Sequence, residues 1–475
     1  MALSSYNFVL LFLPIVMIGF YFFRKLKVHN LQLLWLLIAS FFFYTCNVPV
    51  YILLLFFDIT VNYFFYRLIY KKPCKFFLNL SILFNTLLLF YFKYINFGID
   101  ISNLLFHTNF AVKNIALPLG ISFITFQQIA FMVETFKGTH KEECNLLEYS
   151  LFVSFFPHIS SGPIIGHEEF IPLLKKDSSI NWDKLASGIY LFLIGFGKKV
   201  LIADFLAKGV DYGYSNLATL NTTTGLFISL LYTLQIYYDF SGYSDMAIGI
   251  ARMLQLDLPV NFNSPYKATT ITEFWNRWHI TLTRFLTRYI YIPLGGNRKG
   301  KLRSYINTLI VFLVSGLWHG ASYTFIFWGL LHGIFMVFTK HFNRFIQRIP
   351  KWINHTITLL FVNFTWIIFR AGSVQTLKEF VNVFLRNDWG SLNTNVVDIL
   401  LPSFISRILP ENYSNIIVVF ILLIIIIIVT LFAPNTQETL TKKDLNLKNL
   451  ALVLFIGILS IFSMSGINTF IYAYF

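Results

Sequence analysis

From Ile416 to Phe432 the chain passes through an uncharged apolar run in which Thr430 is the only strongly polar side chain, and a second such run covers Leu450–Ser465. No water-soluble core hides many segments of this kind, whereas a bilayer asks for ~20 mostly apolar residues per crossing. Thirteen apolar segments can be drawn, at 6–23, 31–45, 48–69, 76–97, 115–136, 146–165, 185–207, 225–250, 304–318, 320–339, 352–369, 416–433 and 450–466. The composition agrees. Only 12% of residues are charged, against about 25% in ordinary soluble domains, and phenylalanine alone supplies 55 residues. The expectation is an all-α polytopic membrane protein formed by a single membrane domain over 1–475.

The net charge of +15 does not point to nucleic acid. Its lysines and arginines sit in short clusters between apolar runs: Arg24–Lys27, Lys71–Lys75, Arg298–Arg303, Lys340–Lys351 and Lys442–Lys448. That is the pattern of cytoplasmic loops. The N-terminus lacks the basic flank of a cleavable signal, so its first apolar run is read as a retained span. If all thirteen segments crossed, the charge pattern would fail midway, and it is restored if 146–165 re-enters without crossing. Pro157 to Pro163 supplies the reason, since prolines and glycine at membrane depth suit a re-entrant loop shielded by protein. Roughly twelve crossings then remain, with both termini on the periplasmic side of an inner membrane. Lys198 and Lys199 fall inside 185–207, where charge is costly, and predict a bent or short helix. The stretch 252–303 interleaves Asp257, Asn261, Asn263, Lys267, Glu273, Arg277, Arg284 and Arg288 with aromatic residues. It reads as one or two amphipathic helices at the cytoplasmic interface, either as a basic anchor on membrane lipid or as a surface for an anionic cytosolic donor, for which arginine is suited. Arg277, Arg284, Arg288 and Arg298 are the candidates for phosphate contact. Cys46, Cys74 and Cys144 have no metal-type spacing, and neither a disulfide framework nor a metal is expected.

Ser315-Gly316-Leu317-Trp318-His319-Gly320-Ala321 interrupts the apolar stretch Tyr305–Thr339. Measured from Arg303 along a straight helix, His319 lies ~24 Å deep. A lone histidine in a soluble core is usually a satisfied structural group, but an ionisable residue inside a membrane is a functional candidate by default. Neutral imidazole can take a hydroxyl proton while the oxygen attacks a thioester. His279, in Glu273-Phe274-Trp275-Asn276-Arg277-Trp278-His279, reads equally as a structural interfacial histidine or a second functional one. Asp239, Ser241 and Asp245 make 225–250 unusually polar. They are expected to line a wet cavity or, for the acids, to pair with Lys or Arg.

Several motifs, in order, resemble the membrane-bound O-acyltransferase family, in particular its alginate and peptidoglycan O-acetylation branch. They are Leu117-Pro118-Leu119-Gly120-Ile121-Ser122-Phe123 through Gln127, Phe155-Phe156-Pro157 with Gly162-Pro163-Ile164, and Gly197-Lys198-Lys199 through Asp204. Tyr238-Asp239-Phe240-Ser241-Gly242-Tyr243-Ser244-Asp245-Met246, Phe274 through Ile280, Tyr291 through Arg298 and Gly316-Leu317-Trp318-His319-Gly320 complete the set. The resemblance implies a ring of tilted transmembrane helices around a central funnel, with re-entrant and interfacial helices. It implies His319 as the catalytic histidine and His279 as a supporting one. It further implies acetyl-CoA as the cytosolic donor, and an extracytoplasmic partner of the SGNH-hydrolase type that modifies a polysaccharide acceptor. The Tyr291–Arg298 wording is closer to the alginate branch than to teichoic-acid D-alanylation. Asn276 departs from the alginate-type block, which commonly reads Trp-Arg-Arg-Trp-His, with arginine at this position. The competing readings are D-alanyl transfer to teichoic acid and a transporter or flippase of an acyl carrier that does no chemistry.

The ending Phe470-Ile471-Tyr472-Ala473-Tyr474-Phe475 reads as an aromatic interfacial anchor or, through the Tyr472 hydroxyl, as a short-lived acyl relay. Tyr472→Phe separates the two. A relay loses transfer to the partner while the protein still inserts, and an anchor leaves transfer near normal. For the topology, cysteines introduced at Lys299 or Lys301 are expected to react with thiol reagents only from the cytoplasmic side. Labelling from outside would overturn the orientation of every neighbouring loop.

Overall fold

In hydrocarbon a peptide N–H or C=O has no water to bond, so a crossing segment must satisfy its backbone internally, which an α-helix does. The computed structural model describes residues 1–46, 48–139, 143–176, 179–401, 414–441 and 447–464, and no strand occurs among them. Six of the helices are long and apolar enough to cross a membrane: Asn7–Lys25, Tyr51–Lys71, Lys75–Phe106, Tyr323–His341, Lys351–Ala371 and Asn415–Phe432. The protein is thus an all-helical, multi-pass membrane protein. It divides into two compact units, one of Met1–Gly195, Tyr243–Val260 and Leu450–Phe475, the other of Phe196–Gly242 and Asn261–Asn449.

The first unit opens with α1 (Leu13–Lys25) and α2 (His29–Thr45). Gly19 leaves room for the Trp35 indole, whose Nε1 donates to the Val16 carbonyl at 3.0 Å and pins the two helices together. Helix α3 (Tyr51–Lys71) follows, and α4 (Lys75–Leu89) runs through a π-helical turn, Phe90–Tyr94, into α5 (Ile95–Phe106). The apolar segment drawn from 115 becomes helical only at Ile121, in α6 (Ile121–Phe136). Pro118 cannot donate a backbone hydrogen bond, and Gly120 sits at φ 67°, a left-handed conformation that glycine adopts without steric cost. A Cβ on Gly120 would also collide with the Ile159 carbonyl, so this glycine admits the 157–162 loop.

Helix α7 (Leu146–Ser154) starts on a capping box between Asn145 and Glu148 and stops where the proline-containing stretch begins. Phe155, Phe156, His158 and Ile159 are buried, so this irregular backbone is shielded by protein, as the prolines predict. A polar set fastens α3, α4 and α6. Asp58 accepts from Asn62 and from Gln128, both at 2.9 Å, and Asn62 bonds Asn85 across to α4. Such groups act as glue between membrane helices because they have no water to turn to. After α8 (His167–Lys175), α9 (Trp182–Gly197) carries the chain toward the second unit.

There, a π-helical turn at Lys198–Ala203 joins α9 to α10 (Asp204–Ser215), which fits the bent helix expected from the two lysines. Helix α11 (Thr222–Met253) belongs to both units. The 252–303 stretch forms two short helices, α12 (Ile271–Arg277) and α13 (Ile280–Leu286), the latter continued by a π-turn at Thr287–Tyr291. Next come α14 (Gly300–His319), α15 (Tyr323–His341), α16 (Asn343–Ile346) and α17 (Lys351–Ala371). The chain closes with α18 (Val374–Leu385), α19 (Thr394–Ile399), α20 (Ser414–Phe432), α21 (Thr436–Thr441) and α22 (Leu447–Ser463).

Helices α14 and α15 form a hairpin whose backbones touch at glycines. A Cβ on Gly316 would strike the Phe325 carbonyl, and one on Gly329 the Phe312 carbonyl, with the two glycine Cα atoms facing each other. Small residues that let backbones meet are a common interface in membranes. Gly329→Leu is therefore expected to force the hairpin apart and destabilise the protein by about 1–3 kcal/mol, the usual range for overpacking. A thermal-unfolding midpoint in detergent equal to that of the parent would contradict this packing.

Candidate active site

The break expected around His319 is sharp. Helix α14 ends on His319 itself, Gly320 is extended, and α15 begins at Tyr323. Ser322 caps the new helix by accepting from the Thr324 N–H at 3.3 Å and donates to the Gly372 carbonyl at 2.7 Å. The flanking glycines serve the neighbouring helix: Gly316 receives α15, and Gly320 gives room to the Phe325 ring. The result is an imidazole, 2% exposed, held edge-on among three aromatic rings. Trp318 lies at 4.9 Å, Trp328 at 5.2 Å and Phe369 at 5.2 Å between ring centroids.

His279 is brought to the same wall, with its ring 6.0 Å from Trp318 and 4.8 Å from Phe240. Both histidines therefore meet one indole. His279 sits at the corner between α12 and α13 with φ 45° and ψ 52°, a left-handed conformation that costs a non-glycine residue about 1–3 kcal/mol and persists where its surroundings enforce it. The enforcing contacts are visible. Ile280 N donates to the Asn261 carbonyl at 3.0 Å, and Asn263 N donates to the Arg277 carbonyl at 2.9 Å, strapping the corner to the preceding loop.

The same Asn261 fixes the proton on His279. Its Oδ1 accepts from the Thr281 hydroxyl at 2.9 Å and from the Thr281 N–H at 3.3 Å, and it lies 3.0 Å from His279 Nδ1. An oxygen receiving those donors requires Nδ1 to donate as well, which leaves the lone pair on Nε2. That Nε2 is buried with no hydrogen-bond partner among the described residues. Burial pushes the His279 imidazole down to about 3, so it is neutral at ordinary pH.

The remaining sequence candidates separate. Asp239 meets Lys199 at 2.6 Å, and Lys199 also meets Asp204 at 2.7 Å across the π-turn. Ser241 is buried, and its hydroxyl has no partner among the described residues. Asp245 is buried but belongs to the other unit. Arg277 is engaged locally, with Nη2 2.8 Å from Glu273 and Nη1 donating to the Asn263 carbonyl at 3.2 Å. Arg284 and Arg298 are exposed, and half-buried Arg288 lies 5.8 Å from the Tyr289 ring. Tyr472 falls outside the described residues.

A cavity of about 190 Å³ opens beside α14, with Ser315, Trp275, Asn276, Tyr291 and Lys340 in its wall. Ser315 is one turn before His319, so both lie on one face of the helix, and its buried hydroxyl has no partner among the described residues. Lys340 donates to Thr308 at 2.8 Å and lies 5.3 Å from the Tyr291 ring. Sequence reasoning passed over two residues of this neighbourhood. Asn261 was noted only as one polar residue of an amphipathic stretch. His332 accepts from Trp275 Nε1 at 3.2 Å, reaches Thr365 at 3.0 Å, and has its ring 4.8 Å from that of Trp328, an indole beside His319. The rule that flagged His319, an ionisable group inside an apolar run, applies equally to His332.

Residues 96–377 match the model of the membrane-bound O-acyltransferase family. The chain is 39% identical over 404 residues to a peptidoglycan O-acetyltransferase of Helicobacter pylori, covering 78% of this chain and 77% of that protein. It is 38% identical over 390 residues to a probable alginate O-acetylase of Pseudomonas aeruginosa, covering 79% and 73%. To a teichoic acid D-alanyltransferase of Bacillus subtilis it is 30% identical over 271 residues, covering 53% and 67%. The chain belongs to the membrane-bound O-acyltransferase family and is a membrane-embedded acyltransferase.

Proposed function

We propose that this enzyme transfers acetyl groups from cytosolic acetyl-CoA, across an inner membrane, toward the hydroxyls of a cell-wall or extracellular polysaccharide of the peptidoglycan or alginate kind. The observation that carries the reading is the pair of buried histidines against one indole, Trp318, set in a chain that resembles polysaccharide O-acetyltransferases over about four-fifths of its length. The teichoic acid relative matches a smaller part at lower identity, which favours acetyl over D-alanyl transfer. An extracytoplasmic partner of the SGNH-hydrolase type completes delivery to the polymer.

In this reading His319 takes the proton of the attacking hydroxyl as its oxygen bonds to the thioester carbonyl carbon. The carbon–sulfur bond then breaks, and the proton passes to the departing thiolate. The last carbonyls of α14 favour the positive charge that the imidazole gains during the step. His279, with its Nδ1–H held by Asn261, offers its Nε2 lone pair to an amide N–H of the donor and so orients the thioester, while the hydroxyl's single proton goes to His319. The 190 Å³ cavity beside Ser315, one turn of α14 before His319, is the place for the acyl group in this reading. Lys340 stands in the wall that also contains Asn276, so a cation for the donor is present where the arginine of the alginate-type block is missing.

His319→Ala and His279→Ala are each expected to lower acetyl transfer by ~10²–10⁴-fold, the typical share of general acid–base catalysis, in protein that still purifies as folded. Asn261→Asp keeps an acceptor for Nδ1–H and is expected to retain far more activity than Asn261→Leu. Parental turnover by His319→Ala with acetyl-CoA as donor would end the assignment. Equal activity of the two Asn261 variants would remove the tautomer argument alone.

A further inference from the structure

His332 is a buried histidine on α15 that the proposed chemistry does not use. Its hydrogen bonds decide what it can do. An indole nitrogen only donates, so Trp275 Nε1–H, with the two nitrogens 3.2 Å apart, ends on the lone pair of His332 Nδ1. The imidazole is therefore neutral and carries its proton on Nε2. That proton goes to Thr365 Oγ1 at 3.0 Å, whose own hydrogen is given to the Val362 carbonyl at 2.9 Å. Both ring nitrogens are used, one as acceptor and one as donor. An ionisable group inside a membrane span is a functional candidate, yet this one has no lone pair left to take a substrate proton.

What remains to it is position. The bonds cross three helices, from Trp275 on α12 through His332 on α15 to Thr365 on α17. Trp275 stands in the wall of the 190 Å³ cavity with Phe312 and Ser315, and His332 stands behind it, outside the wall. The indole packs edge-on against Phe312 at 5.2 Å and Trp328 at 5.7 Å between centroids. Trp328 in turn meets the ring of His332 at 4.8 Å and that of His319 at 5.2 Å. Ring packing tolerates small rotations, whereas a hydrogen bond favours one direction of the N–H. A buried indole that turned away would also leave that N–H unsatisfied.

We infer that His332 is a positioning residue: it fixes the Trp275 indole as a wall of the acyl cavity, and through that wall it limits the length of the acyl group. The inference rests on the reading of this cavity as the place of the acyl group. One extra methylene in a pocket is worth only about 10–200-fold in discrimination, and that much requires a wall that does not yield. Removing the acceptor at His332 frees the ring to seek another partner for its N–H, and the wall recedes.

The test compares kcat/KM of the purified full chain for butyryl-CoA and acetyl-CoA. In His332→Leu the butyryl-to-acetyl ratio is expected to rise ~10-fold, the low end of the discrimination a methylene provides. His332→Asn offers Oδ1 where Nδ1 was and is expected to keep the parental ratio. Thr365→Val keeps the side-chain shape and removes the group that orients the imidazole, so it should raise the ratio and decides the matter if His332→Leu fails to fold. In a Trp275→Phe background, which has no N–H to hold, neither substitution should change the ratio further, the mark of two residues acting as one unit. An unchanged ratio in the folded single variants overturns the inference, as does a further rise in the Trp275→Phe background. General loosening of the structure would slow both donors alike and leave the ratio where it was. A second readout needs no donor. With nitrogen-15-labelled tryptophan, the indole signal missing from Trp275→Phe belongs to Trp275, and its proton is expected to exchange faster with deuterium oxide in His332→Leu than in the parent or His332→Asn. Equally slow exchange overturns the inference. A parent that turns over no acyl-CoA would instead sink the reading of function, and the indole proton would still decide whether His332 holds the ring.

Discussion

The need to satisfy every peptide group without water governs where this chain can stop a helix, and so where it can place chemistry. Within hydrocarbon an interruption is tolerated only if protein encloses it. The interruption between His319 and Tyr323 meets that condition because glycine contacts bring α14 and α15 into backbone contact, and because Ser322 bonds both Thr324 and Gly372. Once the helix can end there, its last residue is fixed at both its backbone and its ring, with Trp318, Trp328 and Phe369 around the imidazole. The second histidine is held by the opposite device, a strained corner at the start of a short helix.

Much of this was legible in residue order. The apolar runs announced the helices, the prolines after Ser154 announced the irregular buried loop, and glycines around an isolated histidine announced a break. Lys198 and Lys199 announced a disturbed helix, and the carboxylates of α11 announced ion pairing. What sequence could not supply was partners. That Asp239 meets Lys199 depends on how α11 packs on the π-helical segment. That Asn261 holds His279 depends on a loop folding back across 18 positions. The start of α6 at Ile121 was missed because hydropathy counts Ile115–Leu119 as apolar, while Pro118 and the left-handed Gly120 decide the backbone.

The Lys199 cluster and the Asp58 set show two ways of housing polarity in a largely apolar protein. Asp58 is bonded by neutral amides, Asn62 and Gln128, and ties helices together. Asp239 and Asp204 share one lysine, so removal of Lys199 leaves two carboxylates without their counterpart, a strongly destabilising change in such groups, whereas removal of one aspartate leaves a complete pair.

The π-helical turn at Lys198–Ala203 carries a consequence of an evolutionary kind. A π-turn holds one residue more than the α-helical turn it replaces. It is thus the place where a single residue has been accommodated without dismantling the helix. Deleting one residue there would return the segment to ordinary α-helical winding, in which positions four apart stack as positions five apart do in the π-turn. Asp204, now five positions after Lys199 and 2.7 Å from its Nζ, would become its i+4 neighbour and stay on the lysine's side. The pairing of Lys199 therefore tolerates a change of one residue in length within this turn.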